Sequence, residues 1–130
     1  MKKVVLFSVV AMLVCFLSGP TFAQKPTRIK FKAGAVSSVV SGNLSGYKAS
    51  RTFVIKVRAG QTLRTEQVGN NAITIYLTDP NGEDASDADA SCNNRKEVTP
   101  TVAGDYIIKV VECQKADEWR GRFRFRVAVR

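Results

Sequence analysis

Six residues that can offer oxygen ligands crowd into the stretch 79–89: Asp79, Asn81, Glu83, Asp84, Asp87 and Asp89. Hard carboxylate and amide oxygens at close spacing can cage calcium. The spacing departs from that of the helix-loop-helix calcium loop, whose turn glycine stands sixth; Gly82 stands fourth from Asp79. Asp79-Pro80-Asn81-Gly82 is also what a tight turn requires, because proline fixes φ and asparagine or glycine tolerates the following position. The sequence therefore favours a solvated turn and loop here. A weak calcium site at Asp79, Asn81, Asp84 and Asp87 is the alternative, and no other cofactor is expected.

A second set is cationic. Arg28, Lys30, Lys32, Lys56, Arg58, Arg122, Arg124 and Arg126 each alternate with apolar neighbours, which puts them on the outward side of β-strands. If those strands are neighbours, Lys30, Lys32, Lys56, Arg58, Arg122, Arg124 and Arg126 make one basic sheet face. Such a face concentrates anions and steers acidic partners. Lipopolysaccharide, an acidic glycan or another anionic cell-surface polymer fits it, as does an acidic protein. Nucleic acid does not, since the outward positions lack the interleaved aromatics on which bases stack. The competing explanation is a cationic surface that only keeps the protein soluble and its strand edges apart.

Catalysis finds little support. The chain has no histidine to serve as a general base. Five of its eleven acids lie in one loop, whereas a two-carboxylate hydrolase needs them held on rigid elements across a cleft. No serine or lysine is singled out by its surroundings. No catalytic residue is assigned, and the protein is read as a non-enzyme. Trp119 is more suggestive: with Gln114, Lys115 and Arg120 it forms a polar–aromatic turn before the last strand, suited either to anchoring a partner or to covering the end of the core.

The elements that would position these groups are short strands. Phe53–Val57, Ile73–Leu77 and Tyr106–Val110 alternate apolar and polar residues, separated by the turns Ala59-Gly60-Gln61, Asp79-Pro80-Asn81-Gly82 and Ala103-Gly104-Asp105. Eight strands are expected: Arg28–Lys32, Val36–Leu44, Arg51–Arg58, Thr62–Val68 (a polar edge), Ala72–Thr78, Lys96–Thr99, Tyr106–Glu112 and Arg120–Arg130. The last has Phe123, Phe125, Val127 and Val129 on one face and arginines on the other, so one face must be wet. The fold class that follows is all-β: an antiparallel jelly-roll-type sandwich of about eight strands, with an immunoglobulin-like topology second.

Residues 1–23 read as a secretory signal peptide. Lys2-Lys3 precede an apolar run from Val4 to Leu17, and Thr21-Phe22-Ala23 offers small residues for cleavage before Gln24. The run is short for a membrane span. Residues 24–130 form the expected single domain. The full chain carries +9, and loss of Lys2 and Lys3 leaves +7. Periplasm or medium is the expected destination. Cys15 departs with the signal, leaving Cys92 and Cys113, which in an exported chain pair as a disulfide.

Ile29-Lys30-Phe31-Lys32-Ala33-Gly34, Ser38, Ser41-Gly42, Gly46-Tyr47, Phe53 and Ala59-Gly60-Gln61 together resemble the periplasmic inhibitors of g-type lysozyme. The likeness continues more loosely through Ala103-Gly104-Asp105-Tyr106 into the last strand. Ser41-Gly42-Asn43-Leu44-Ser45-Gly46 and Asp79-Pro80-Asn81-Gly82 are also similar to the pre-peptidase C-terminal domain. Both resemblances imply a β-sandwich. The first implies an exported protein that blocks the cleft of a g-type lysozyme with loop residues, which would here be Tyr47, Lys115, Trp119 and Arg120. Where those inhibitors carry arginines before the last strand, this chain has Gln114 and Glu118 at or near the corresponding places. The second implies a module that binds glycan or cell-surface polymer.

Overall fold

The computed structural model describes residues 25–69, 73–85, 92, 95–114 and 117–130. Residues 1–23, the expected signal peptide, lie outside them. Eight strands form: β1 (Thr27–Arg28), β2 (Ser37–Ser45), β3 (Ser50–Val57), β4 (Leu63–Gln67), β5 (Ile73–Thr78), β6 (Arg95–Val98), β7 (Gly104–Glu112) and β8 (Arg120–Val129). They build two four-stranded sheets, sheet A in the order β1-β3-β7-β5 and sheet B in the order β2-β8-β4-β6. Consecutive strands alternate between the sheets, so each pairing within a sheet joins strands distant in sequence. The all-β sandwich expected from the alternating pattern is the one observed.

Alternation explains the layering. Phe53, Ile55 and Val57 of β3, Ile73, Ile75 and Leu77 of β5, and Tyr106, Ile108 and Val110 of β7 are buried on the inner side of sheet A. Leu63 of β4 and Phe123, Phe125 and Val127 of β8 meet them from sheet B. Phe53 bridges the layers, with ring centroids 6.2 Å from Phe123 and 5.3 Å from Phe125, both edge-to-face. Offset and edge-on contacts suit the ring quadrupoles, and aromatic burial of this kind dominates a small core.

Two expectations are corrected. Thr62–Val68 is not an edge: β4 runs between β8 and β6. Its polar residues Arg64 and Glu66 point to the wet face, while Leu63 and Thr65 are fully buried. The first strand is also shorter than Arg28–Lys32 and pairs parallel with β3, Thr27 opposite Phe53 and Arg28 opposite Val54. After the Ile29 amide donates to the Val54 carbonyl at 2.8 Å, the chain leaves the sheet. It turns at Ala33-Gly34, where Gly34 has φ 76°. Ile29 stays buried and Phe31 packs on the core without belonging to a strand.

The turn motifs interlock. Gly104 opens β7 at φ 136°, and a Cβ there would stand 2.8 Å from Cβ of Pro80 in the Asp-Pro-Asn-Gly turn. The glycine is needed for both reasons: the backbone conformation and the close approach.

Candidate functional site

Three loops converge at one end of the sandwich. The β2–β3 turn carries Gly46 and Tyr47, the end of β7 carries Glu112 and Gln114, and the segment before β8 carries Asp117, Glu118 and Trp119. Gly46 has φ 103°, a left-handed turn residue. Its amide donates to the Trp119 carbonyl at 3.1 Å, and the Tyr47 amide donates to Oε1 of Glu118 at 3.4 Å. From the other side, Nε2 of Gln114 reaches the Tyr47 carbonyl at 3.5 Å. The left-handed backbone is what calls for glycine at 46, and the exposed Glu118 carboxylate occupies the space a Cβ would take.

Trp119 divides its duties. Its ring is half-buried against the core and passes within contact of Gly121, whose missing side chain makes the room. The Trp119 amide donates to Oε1 of Glu112 at 2.5 Å. Glu112 is 2% exposed, and its Oε2 has no partner among the described residues. A buried carboxylate bonded to a backbone N–H holds the segment before β8 in place by a charge-assisted bond. The inward parity of Tyr106, Ile108 and Val110 reaches Glu112 too, and that is the signal by which the sequence could have identified it.

Tyr47 is exposed at the crest of this tip. Its phenol pKa is raised above the usual value, first by desolvation and then by the negative charges of Glu112, Asp117 and Glu118. The tip is thus aromatic and locally acidic within a cationic chain. Of the expected contact residues, the structure brings Tyr47 and Trp119 together. Lys115 lies outside the described residues. Arg120 starts β8 opposite Ser45 and belongs to the outward row of sheet B.

The staple near the tip is formed: Cys92 and Cys113 are disulfide-bonded, their Cα atoms 4.7 Å apart. Cys92 adopts φ 70° and its amide donates to Oγ1 of Thr74 at 2.7 Å. The bridge therefore ties the stretch after β5 to the end of β7.

The acidic loop behaves as a turn where it is described. Oδ1 of Asp79 accepts from the amides of Asn81 at 2.8 Å and Glu83 at 2.9 Å, and the Asp79 carbonyl accepts from Gly82 at 3.0 Å. Asp84 forms an isolated bridge with Thr78. Among the described residues no three His, Cys, Asp or Glu side chains gather as a metal cage. Asp87 and Asp89 lie outside those residues.

The single basic face expected from the sequence is divided, because strand alternation says in or out but not which sheet. Lys56 is on sheet A and Arg122, Arg124 and Arg126 are on sheet B. Lys30, Lys56 and Arg58 join Arg28 around an open groove of about 670 Å³ at the sandwich margin, floored by Ile29, Phe31 and Val129. Lys32 is exposed in the loop beside it. Arg28 clamps Asp105 through two bonds, 3.0 and 2.9 Å. That hydrogen-bonded pair raises the Arg28 pKa and holds the Asp105 carboxyl below the usual range. The arginine row of β8 forms a separate surface on the opposite side. No helix among the described residues is long and apolar enough to cross a membrane.

No family model and no curated protein matches the sequence. Solved structures do match. PliG of Aeromonas hydrophila, a periplasmic lysozyme inhibitor of g-type lysozyme, superposes with a TM-score of 0.66 at 17% identity, covering 81% of this chain and 96% of that one. Its Salmonella Typhimurium counterpart gives 0.64 at 21% identity, over 83% and 100% of the two chains. The pre-peptidase C-terminal domain of a Bacillus anthracis collagenase gives 0.51 at 15% identity, over 83% and 97%. At these identities the likenesses establish a shared fold, the one both resemblances implied.

Proposed function

We propose that this is an exported, non-enzymatic binding protein that inhibits a g-type lysozyme by inserting the Tyr47–Trp119 tip into the enzyme's substrate cleft. The observation that carries the reading is the match to periplasmic lysozyme inhibitors over nearly their whole length, by a chain whose turn motifs independently resemble theirs. The tip supports it. An exposed tyrosine on a turn whose backbone is held by Glu118, Gln114 and the Trp119 carbonyl is a preorganised anchor, and aromatic anchors of this kind carry much of the energy of an interface. Asp117 and Glu118 are exposed at the crest and place negative charge beside Tyr47 even though the chain as a whole is basic. Inhibition here would rest on shape and an aromatic plug.

The disulfide is consistent with an oxidising compartment such as the periplasm or the medium. Titrating a g-type lysozyme with the purified oxidised protein tests the proposal. Stoichiometric loss of activity is expected. Full activity at micromolar excess would refute it.

A further inference from the structure

The outward positions of β8 read Arg120, Arg122, Arg124, Arg126 and Ala128, with Arg130 continuing the alternation just beyond it. All five arginines are exposed. Because β8 lies between β2 and β4, this row occupies the middle of sheet B. Protection of a strand edge, the common reason for charge on a sheet, does not account for it. Side chains two residues apart on one strand face are roughly 7 Å apart, and like charges that close repel.

The neighbouring strands give little relief. Across from Arg122, Arg124 and Arg126 on β2 stand Asn43, Ser41 and Val39. On β4, Arg126 faces Glu66, but Glu66 already accepts a bond from Arg64 at 3.2 Å. Nη2 of Arg122 donates to Oγ of Ser41 at 3.1 Å. The side chains of Arg120, Arg124 and Arg126 make no hydrogen bond or ion pair among the described residues.

Ala128 interrupts the row and makes a hollow. Its small side chain leaves about 510 Å³ bounded by Arg126 and Arg130 along the chain and by Arg64, its partner on β4, with Glu66 across from Arg126 and Glu97 across from Arg64 completing the lining. Nε of Arg64 is buried and has no acceptor among the described residues. A buried donor without an acceptor is costly, and the rest of the Arg64 side chain is partly exposed where it lines the hollow. Guanidinium forks recognise carboxylate, sulfate and phosphate oxygens in two-point contacts. Alongside run Ser41, Asn43 and Ser45, exposed hydroxyl and amide groups suited to sugar hydroxyls. Among the described residues the exposed aromatics lie elsewhere, Tyr47 at the tip and Tyr76 on sheet A, and half-buried Trp119 only adjoins the end of the row, so along Arg122, Arg124 and Arg126 nucleic-acid bases would find no stacking platform.

We infer that the outer face of sheet B is a binding track for an anionic polysaccharide. One acidic group of the polymer sits in the hollow among Arg64, Arg126 and Arg130, and the following groups lie along Arg124, Arg122 and Arg120. This surface is distinct from the Tyr47–Trp119 crest and does not depend on lysozyme inhibition.

Fluorescently labelled heparin, a sulfated polysaccharide, is the probe, titrated with the purified exported protein over a series of salt concentrations. Binding should weaken linearly on a log–log plot against salt. The double variant Arg124→Gln/Arg126→Gln should bind at least roughly tenfold more weakly at low salt, with a slope shallower by about two. Ala128→Glu removes no arginine but places a carboxylate in the hollow, and should lose affinity comparably. Lys32→Gln/Lys56→Gln changes the net charge equally on other surfaces and should alter affinity by less than roughly threefold. Equal weakening by the lysine pair would show that only bulk charge matters and overturn the track. So would an absence of heparin binding at low salt, or tighter binding of a single-stranded oligonucleotide than of heparin.

Discussion

Gly42 stands directly across the β2–β8 ladder from Phe123, and a Cβ at position 42 would lie 2.7 Å from Cζ of that ring. The Phe123 ring is fully buried and stacks on Phe125 at 6.3 Å, so it has nowhere to retreat. The glycine of the Ser-Gly-x-Leu-x-Gly motif is thus a seat for the central aromatic of the core.

Gly42→Ala is therefore expected to destabilise the protein. Replacing a strand glycine by alanine gains roughly 0.5–1 kcal/mol in backbone entropy, whereas overpacking a core costs about 1–3 kcal/mol. The clash should win. Urea unfolding should show a lower midpoint with an unchanged slope, and an equal or higher midpoint would contradict the packing argument.

Reduction of Cys92–Cys113 should lower stability by about 3 kcal/mol, given the sequence separation of 21 and the loop entropy released. Denaturant unfolding with and without reductant measures this. Identical midpoints would mean that the bridge is thermodynamically idle.

Asp105 should ionise below the ordinary aspartate range because Arg28 donates two bonds to it. A depressed folded pKa contributes stability above the unfolded value of about 3.9, and the contribution is lost as pH falls through the folded value. NMR titration of the carboxyl carbon should show the low value, and Arg28→Gln should move it upward. No movement would rule out the clamp as the cause.

Tyr47→Ala should cost little stability, since the ring is exposed, yet weaken lysozyme inhibition roughly tenfold or more, as loss of an interface anchor does. Because the phenol pKa is raised above its usual value, Tyr47 is neutral from neutral to mildly alkaline pH, and its part in inhibition should not change over that span. An unaltered inhibition constant for Tyr47→Ala would move the contact elsewhere on the sandwich.

Alternation in Phe123-Arg124-Phe125-Arg126-Val127 is enough to read a half-buried strand, and the same holds for β3, β5 and β7. What alternation cannot carry is sheet membership. Lys56 and Arg124 both point outward, yet they face opposite directions because β3 and β8 pair with different, distant partners. Polarity misled at β4 for a related reason: Arg64 and Glu66 signal one wet face, which a central strand can have as readily as an edge. Tyr47 and Trp119 were legible as exposed or turn aromatics. Their mutual bracing through Glu112, Glu118 and Gln114 was not, since it depends on three loops meeting.

β8 comes after the other seven strands in the chain, yet it is the partner of both β2 and β4. Sheet B therefore cannot close during synthesis of the first 119 residues, because until β8 emerges β2 has no ladder and the β4–β6 pair lacks its second neighbour. Such late, non-local pairing makes folding slow. Half of the sandwich thus lacks its partner layer until the final strand appears, a delay that would suit the export proposed above.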